Sequence, residues 1–260
     1  GRPVGGVYGF MSMLLRLLAA VRPSHLAVAT DVPIAENRRT ALYPEYKANR
    51  PECPPDLAPQ FDLLREVLTA LNITVLEAPG YEADDLMGTM ARKAEESGME
   101  VTLLTGDRDA FQLLSGRTTV EYVKRLNQTV TYDVPRFVEE WGILPSQVAD
   151  LKGLAGDASD NIPGIRGIGP KTAIKLLQQY DTLEAVLAHA HTQRGRLRER
   201  LEEGREIALL SKQLATIDRH APVSCTPEDC ALRLDPGTCA AVFEELRFRS
   251  LLGALQQALA

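Results

Sequence analysis

Apolar residues recur every three or four positions through residues 5–21, 56–71, 83–97, 108–114 and 134–141. Short apolar runs stand between them at 26–30, 73–77, 100–104, 119–124 and 129–132. The first spacing is that of helices with one buried stripe, and the second is that of strands. Their alternation predicts an α/β layer with a mainly parallel central sheet flanked by helices. From about residue 143 the pattern is helical throughout, over 146–155, 170–179, 182–189, 195–215 and 238–259, with Pro and Gly as punctuation. Two units are expected, an α/β core over 1–142 and a helical region over 143–260. No internal repeat of fixed period is present.

In parallel sheets, ligands gather beyond the carboxyl ends of the strands. Asp31 follows the run His25–Thr30, and Asp107 follows Val101–Gly106, so both fall at that edge. Glu82, Asp84 and Asp85 open the helix that starts near residue 83, where the helix dipole favours carboxylates. At about 100° per residue, Glu82 and Asp84 converge only if Glu82 is the cap, before regular helix begins. Asp157 and Asp160 form a further pair in Gly156-Asp157-Ala158-Ser159-Asp160-Asn161. A single acidic first turn reads equally well as helix capping; several such clusters at strand ends do not. Carboxylates packed this densely repel one another unless a cation sits among them. Hard oxygen donors of this kind suit Mg²⁺, with Mn²⁺ as a substitute. Two such ions roughly 3.5–4 Å apart clamp a phosphodiester undergoing in-line attack by water, which points to a metal-dependent nuclease.

Charge first argues against nucleic acid, then for it. The formal net charge is −6, and basic domains are the usual DNA binders. The seven acidic residues named above, with Asp109 two positions after Asp107, contribute eight negative charges; without them −6 becomes +2. Lys and Arg also bunch at 38–50, 166–175 and 194–205, and clustering counts for more than the total. The last of these runs is mixed in sign and reads as a solvated helix face. Cys53, Cys225, Cys230 and Cys239 match no zinc spacing and suit an intracellular, cytoplasmic protein with scattered thiols. No apolar stretch reaches the ~18–20 residues of a membrane span.

Two segments carry candidate DNA contacts. Gly164-Ile165-Arg166-Gly167-Ile168-Gly169-Pro170-Lys171-Thr172 is a glycine hairpin feeding a helix whose first residue is proline. The unpaired amides at such a helix start, with the dipole, bind a phosphate whatever the base. Lys171 and Lys175 lie one turn apart and would flank the same backbone. The segment 37–50 interleaves Arg38, Arg39, Lys47 and Arg50 with Tyr43 and Tyr46, a composition suited to stacking on bases while neutralising phosphates.

In order and spacing, Tyr46-Lys47-Ala48-Asn49-Arg50, Tyr81-Glu82-Ala83-Asp84-Asp85, Gly106-Asp107-Arg108-Asp109, Gly156–Gly164 and Gly167–Ala173 resemble the bacterial 5′-to-3′ exonuclease, or flap endonuclease, family. That family includes the N-terminal nuclease domain of DNA polymerase I, and the likeness covers almost the whole chain. It implies a PIN-like nuclease core with a helical arch at about 33–55, then a helix-hairpin-helix motif. By position, it makes Asp31, Glu82, Asp84, Asp85, Asp107, Asp109, Asp157 and Asp160 the metal-site acids. Lys47 and Arg50 become the catalytic cations of the arch, with Tyr46 beside them. Gly167, Gly169, Lys171 and Thr172, with Lys175, become the duplex clamp. The arginine at the arch base is Arg39 counting back from Tyr46 and Arg38 counting on from Asp31. The implied substrate is DNA with a 5′ flap or 5′ end at a duplex junction, cut during replication and repair by a monomer continuous with a polymerase domain.

Family members open with a strand ending in a metal-ligand aspartate, whereas this sequence opens at Gly1-Arg2-Pro3. The expectation is a sheet without its central strand and a metal site short of one carboxylate. That makes a non-catalytic DNA-junction binder the rival reading. A second rival, an aspartyl-phosphate phosphotransferase built on Asp107, leaves the Gly-Ile-Gly-Pro-Lys hairpin without a use.

Overall fold

The computed structural model describes residues 3–125 and 128–259; Gly1 and Arg2, where the sequence opens, lie outside them. Helix α1 (Gly5–Val21) buries Val7, Met11, Leu14, Leu15 and Leu18 on one stripe. It stops where Arg22 turns left-handed (φ 51°) and donates its amide back to Leu18. Strand β1 (Ala27–Ala29) follows, then a 3₁₀ turn at Ile34–Glu36 and the short helix α2 (Arg38–Leu42). Helix α3 (Ala58–Ala70), strand β2 (Thr74–Leu76), helix α4 (Ala83–Glu96) and strand β3 (Val101–Thr105) come next. After a 3₁₀ segment at Arg108–Leu113, strands β4 (Thr118–Arg125) and β5 (Gln128–Tyr132) lead into α5 (Val134–Trp141). Helix α5 is capped by Asp133, whose side chain accepts from the Arg136 amide at 2.9 Å, and ends at Gly142 with φ 70°, as helix-end preferences require.

The remainder is helical: α6 (Val148–Ala155), α7 (Pro170–Tyr180), α8 (Leu183–Ala188), α9 (Arg196–Glu203), α10 (Arg205–Ala215), α11 (Pro236–Glu245) and α12 (Leu252–Leu259).

Every expected strand forms, and the sheet is in two pieces, as expected of one without its central strand. β1 pairs only with β2, in parallel, with Val28 opposite Val75. β3 pairs in parallel with β4, and β4 pairs antiparallel with β5. Among the described residues no strand joins the two pieces; α4 packs on both β1 and β3 and bridges them. Differences from the expected elements have local causes. The 108–114 segment is 3₁₀ rather than α because Asp107 caps it and accepts from the Asp109 amide at 2.9 Å, a tight start. The single helix expected over 195–215 is two helices that meet at Gly204, where a Cβ would stand 2.7 Å from Ile165. The one expected over 238–259 breaks at Phe248, whose ring is buried against Phe243.

Among the described residues two large apolar cores form, with smaller clusters around Leu86 and around Tyr46. One joins the β3–β5 sheet to α5–α8 through stacked and tilted rings of Phe111, Tyr132, Phe137 and Trp141. The other packs α1 and α3 against α11 and α12, with Phe243 fully buried. Early and late helices thus share one core. Among the described residues no helix is long and apolar enough to cross a membrane.

Candidate active site

The carboxyl ends of β1 and β3 and the amino end of α4 meet at one place, and the acids are there. Asp31 leaves β1 and accepts the Ala83 amide at 2.7 Å, which ties the strand end to the first turn of α4. Glu82 is the cap of α4, in extended backbone (φ −84°, ψ 161°), so its side chain does not follow the helical rotation of Asp84 and Asp85. Asp107 and Asp109 open the 3₁₀ segment after β3. Asp157 and Asp160 come from the loop after α6, which is closed by paired Asp157–Ile162 backbone hydrogen bonds of 2.8 Å.

Electrostatics show how closely these groups crowd. Burial pushes the Asp84 carboxyl well above the usual range, helped by the charges of Asp107, Asp109, Asp31 and Glu82. Burial also raises Asp109 to about 6, against the opposing pull of Lys152. Glu82 and Asp160 both accept from the buried Tyr46 hydroxyl, at 2.9 and 3.4 Å. Burial, with those two charges, drives the Tyr46 hydroxyl far up in pKa.

Four cations stand among the acids. Lys47 is 8% exposed and pairs with Glu82. Arg50 Nη2 binds Asp160 Oδ1 at 2.6 Å. Arg39 forms a two-pronged pair with Asp85 at 2.7 and 2.8 Å. Lys152 of α6 bridges Asp109 and Asp157. Burial works against the Lys152 charge, but the two carboxylates raise its pKa; Lys152 in turn, with the Ser159 hydroxyl and amide, holds Asp157 below the usual range despite burial. Sequence reasoning missed Lys152; the only signal was one lysine in an otherwise apolar and small-residue stretch five positions before Asp157. Among the described residues no three carboxylates converge as they stand on one ion-sized point. Asp84 is half-buried amid four other acids and has no ion-pair partner among the described residues. Asp31 and Asp107 likewise have no ion-pair partner among the described residues, and an all-carboxylate donor set with such unneutralised members fits a hard divalent cation.

The 37–50 segment faces inward more than expected. Tyr46 is 2% exposed, so its ring is not presented to a ligand. Arg38 lies over the Tyr81 ring at 4.4 Å and pairs with Asp218 at 2.9 Å.

Beside the acids lies the hairpin between α6 and α7. Gly156, Gly164 and Gly167 all have positive φ (73°, 59° and 84°), and a Cβ on any of them would overlap neighbouring atoms. Gly169 differs: it caps α7 with φ −95°, and a Cβ there would meet nothing within 4 Å. Pro170 then starts α7, with Lys171 and Lys175 exposed and Thr172 half-buried, its amide bonded to the Gly169 carbonyl.

Comparison with known proteins agrees with this layout. The chain is 46% identical over 259 residues to DNA polymerase I of Bacillus caldotenax, covering 98% of this chain and 29% of that protein. It is 40% identical to DNA polymerase I of Bacillus subtilis, again over 29% of its length. The chain thus spans under a third of the polymerases it matches. Among solved structures, a zinc-bound phage T5 5′-exonuclease superposes with a TM-score of 0.68 at 20% identity, over 99% of this chain and 92% of that one. The catalytic core of Rad2 in complex with a DNA substrate superposes at 0.55 and 16% identity, over 95% of this chain and 84% of that one. Residues 1–142 match the 5′-3′ exonuclease N-terminal resolvase-like domain and 143–236 its C-terminal SAM fold. The chain belongs to the 5′-3′ exonuclease family.

Proposed function

We propose that this chain is a structure-specific 5′ nuclease that hydrolyses DNA phosphodiesters near the junction of a 5′ single strand with a duplex. The observation that carries the reading is the adjacency of an under-neutralised carboxylate cluster to a hairpin with exposed lysines and open amides. The metal-bound T5 5′-exonuclease and the DNA-bound Rad2 core, which share the fold, support it. Asp31, Glu82, Asp84, Asp107 and Asp109, with Asp157 and Asp160, would hold divalent cations, Mg²⁺ by preference. When bound, such ions polarise a phosphate and lower the pKa of a water.

The protein's own groups do the rest. The amides of Gly167, Gly169 and Lys171, with the side chains of Lys171, Thr172 and Lys175, hold the duplex backbone without reading sequence. Lys47 and Arg50, both basic and already beside the acids, stabilise negative charge developing on the scissile phosphate. Arg38 lies at the base of the same segment. With the domain division at 142/143, the second unit would supply the duplex grip and also lend Asp157 and Asp160 to the acids of the first. The nuclease would act as a monomer in the bacterial cytoplasm, at the nucleoid. There it would process Okazaki-fragment primers and repair intermediates as part of a longer DNA polymerase I.

The test is cleavage of a labelled 5′ flap and of a blunt duplex, each in Mg²⁺ and in EDTA. Flap-preferring, Mg²⁺-dependent cleavage is expected. Equal cleavage in both buffers would sink the metal proposal, and tight junction binding without cleavage would make the chain a non-catalytic binder.

A further inference from the structure

We infer that Asp85 is a positioning residue and not a metal ligand: it locks Arg39 to the cap of α4, and so fixes the base of the 37–50 segment beside the acidic cluster. The inference rests on the nuclease reading above and sorts the acids within it.

Consecutive helical residues point about 100° apart, and the first turn of α4 uses this to send neighbouring aspartates to different tasks. Asp84 faces Asp31, Asp107 and Asp109 and has no ion-pair partner among the described residues. Asp85 is 1% exposed and faces the other way. An ionised carboxylate has about four lone-pair positions, and those of Asp85 are all taken. Its Oδ1 accepts from Arg39 Nη2 at 2.8 Å and from the Asp218 amide at 2.8 Å. Its Oδ2 accepts from Arg39 Nη1 at 2.7 Å and from the Glu82 amide at 3.2 Å. A cation could bind here only by displacing one of these buried donors.

Arg39 is as fully committed. A guanidinium has five N–H donors. Nε donates to the Leu214 carbonyl at 2.8 Å, and Nη2 donates to Asp85 and to the Thr216 carbonyl at 2.8 Å. Nη1 donates to Asp85 and has Glu82 Oε2 at 3.3 Å. Three remote segments therefore meet at one ion pair: α2 with its following loop, the amino end of α4, and the stretch that leaves α10. Asp218, held by Asp85 through its amide, in turn holds Arg38. Loss of Asp85 would free the base of the segment that carries Lys47 and Arg50, while Glu82, which loses one amide hydrogen bond but keeps its side-chain partners Tyr46 and Lys47, and Asp84 stay among their acidic neighbours.

The experiment compares the parent chain with Asp84→Asn, Asp85→Asn, Arg39→Gln and the Asp85→Asn/Arg39→Gln double variant. Mn²⁺ binding is read by calorimetry without DNA, unfolding by thermal melts, and single-turnover flap cleavage across a Mg²⁺ titration. Asp85→Asn should keep the Mn²⁺ dissociation constant and stoichiometry within about twofold, lower the melting point and lower the cleavage rate at saturating Mg²⁺ without shifting the half-saturating concentration. Asp84→Asn should weaken Mn²⁺ binding at least tenfold. The double variant should melt no lower than the worse single one, because both remove the same unit. A tenfold loss of Mn²⁺ affinity in Asp85→Asn, or additive melting losses, overturns the inference. If Asn at 85 prevents folding, Arg39→Gln decides: unchanged Mn²⁺ affinity with slower cleavage supports the lock, and weakened affinity overturns it. Unchanged Mn²⁺ affinity in Asp84→Asn would instead sink the metal reading, while the additivity of the melting losses still decides the lock.

Discussion

Two glycines in the hairpin before α7 should respond in opposite ways to the same added methyl group. At Gly164, φ is +59° and a Cβ would stand 2.1 Å from the Gly156 amide nitrogen and 2.6 Å from the Ala155 carbonyl carbon. The left-handed backbone alone costs an L residue roughly 1–2 kcal/mol, and forcing a methyl into packed atoms adds about 1–3 kcal/mol. Gly156 cannot yield easily, since its own φ is +73° and its position is set by Ile162 and Pro163. Gly164→Ala should therefore destabilise by about 2–5 kcal/mol, a fall in Tm of roughly 4–20 °C for a chain of this size. It should also shift Asp157, which pairs with Ile162 across this loop. At Gly169, φ is an ordinary −95° and the space is open. Gly169→Ala costs only the difference between two N-cap residues, about 1 kcal/mol or less. If a phosphate approaches the amides here, however, the methyl stands in its way. Losing one hydrogen bond to a charged group, about 1.5 kcal/mol or more, weakens duplex binding about tenfold. Melting curves and duplex anisotropy in EDTA separate the cases. Unchanged duplex affinity in Gly169→Ala would show that the hairpin amides do not meet DNA. A parent-like melt for Gly164→Ala would refute the turn geometry.

Lys171→Ala should weaken duplex binding equally across sequences and reduce the slope of log affinity against log salt by about one, as loss of one phosphate contact requires. Lys47→Ala should stay folded, because Glu82 keeps Tyr46 and Arg39 as partners. Its single-turnover cleavage should fall on the order of 10²-fold, and a change confined to affinity would refute that role. Asp84→Asn should raise the metal-free melting point at pH 7. Burial and four acidic neighbours lift the folded carboxyl above its unfolded value, so the parent loses stability as pH rises from the unfolded pKa through the folded one. Melts of both proteins from pH 4 to 8 should show that gap opening with pH, and Mg²⁺ should close or reverse it.

The sequence carried the elements and most of the site, but not how the parts engage. Period-two and period-3.6 patterns report which face of an element is buried, so β1–β5 and the long helices were legible. They say nothing about which strand edges meet; it was the family resemblance that led to the expectation of a sheet without its central strand, and the two pieces, joined by α4, agree with it. The cap role of Glu82 was legible because helical rotation left no other way for it to join Asp84. The inward turn of Tyr46 and Lys47 was not. Basic residues alternating with aromatics look the same whether they face a nucleic acid or a carboxylate 36 or 114 positions away, as Glu82 and Asp160 are from Tyr46. Lys152 was illegible for the same reason: its partner Asp109 lies 43 positions back.

Two of the four cations that neutralise the cluster, Lys47 and Arg50, are those proposed to meet the scissile phosphate, and this has a thermodynamic consequence. Lys47 and Arg50 cannot turn fully to a phosphate and still neutralise Glu82 and Asp160. An uncompensated buried carboxylate is costly, so substrate binding leaves these acids in need of positive charge. DNA and divalent cations should therefore bind with positive coupling, and the coupling must be equal in both directions. A 5′-flap substrate should tighten Mn²⁺ binding by about 5–150-fold, the range of ordinary coupling energies, and Mn²⁺ should tighten flap binding by the same factor. In Lys47→Ala, Glu82 already lacks its lysine before DNA arrives, so Mn²⁺ should bind the free protein more tightly and the coupling should shrink. Calorimetry of Mn²⁺ with and without a non-cleavable flap, matched by anisotropy of the flap with and without Mn²⁺, measures both sides. Coupling that is absent in the parent, or undiminished in Lys47→Ala, would mean that the lysine does not exchange Glu82 for a phosphate.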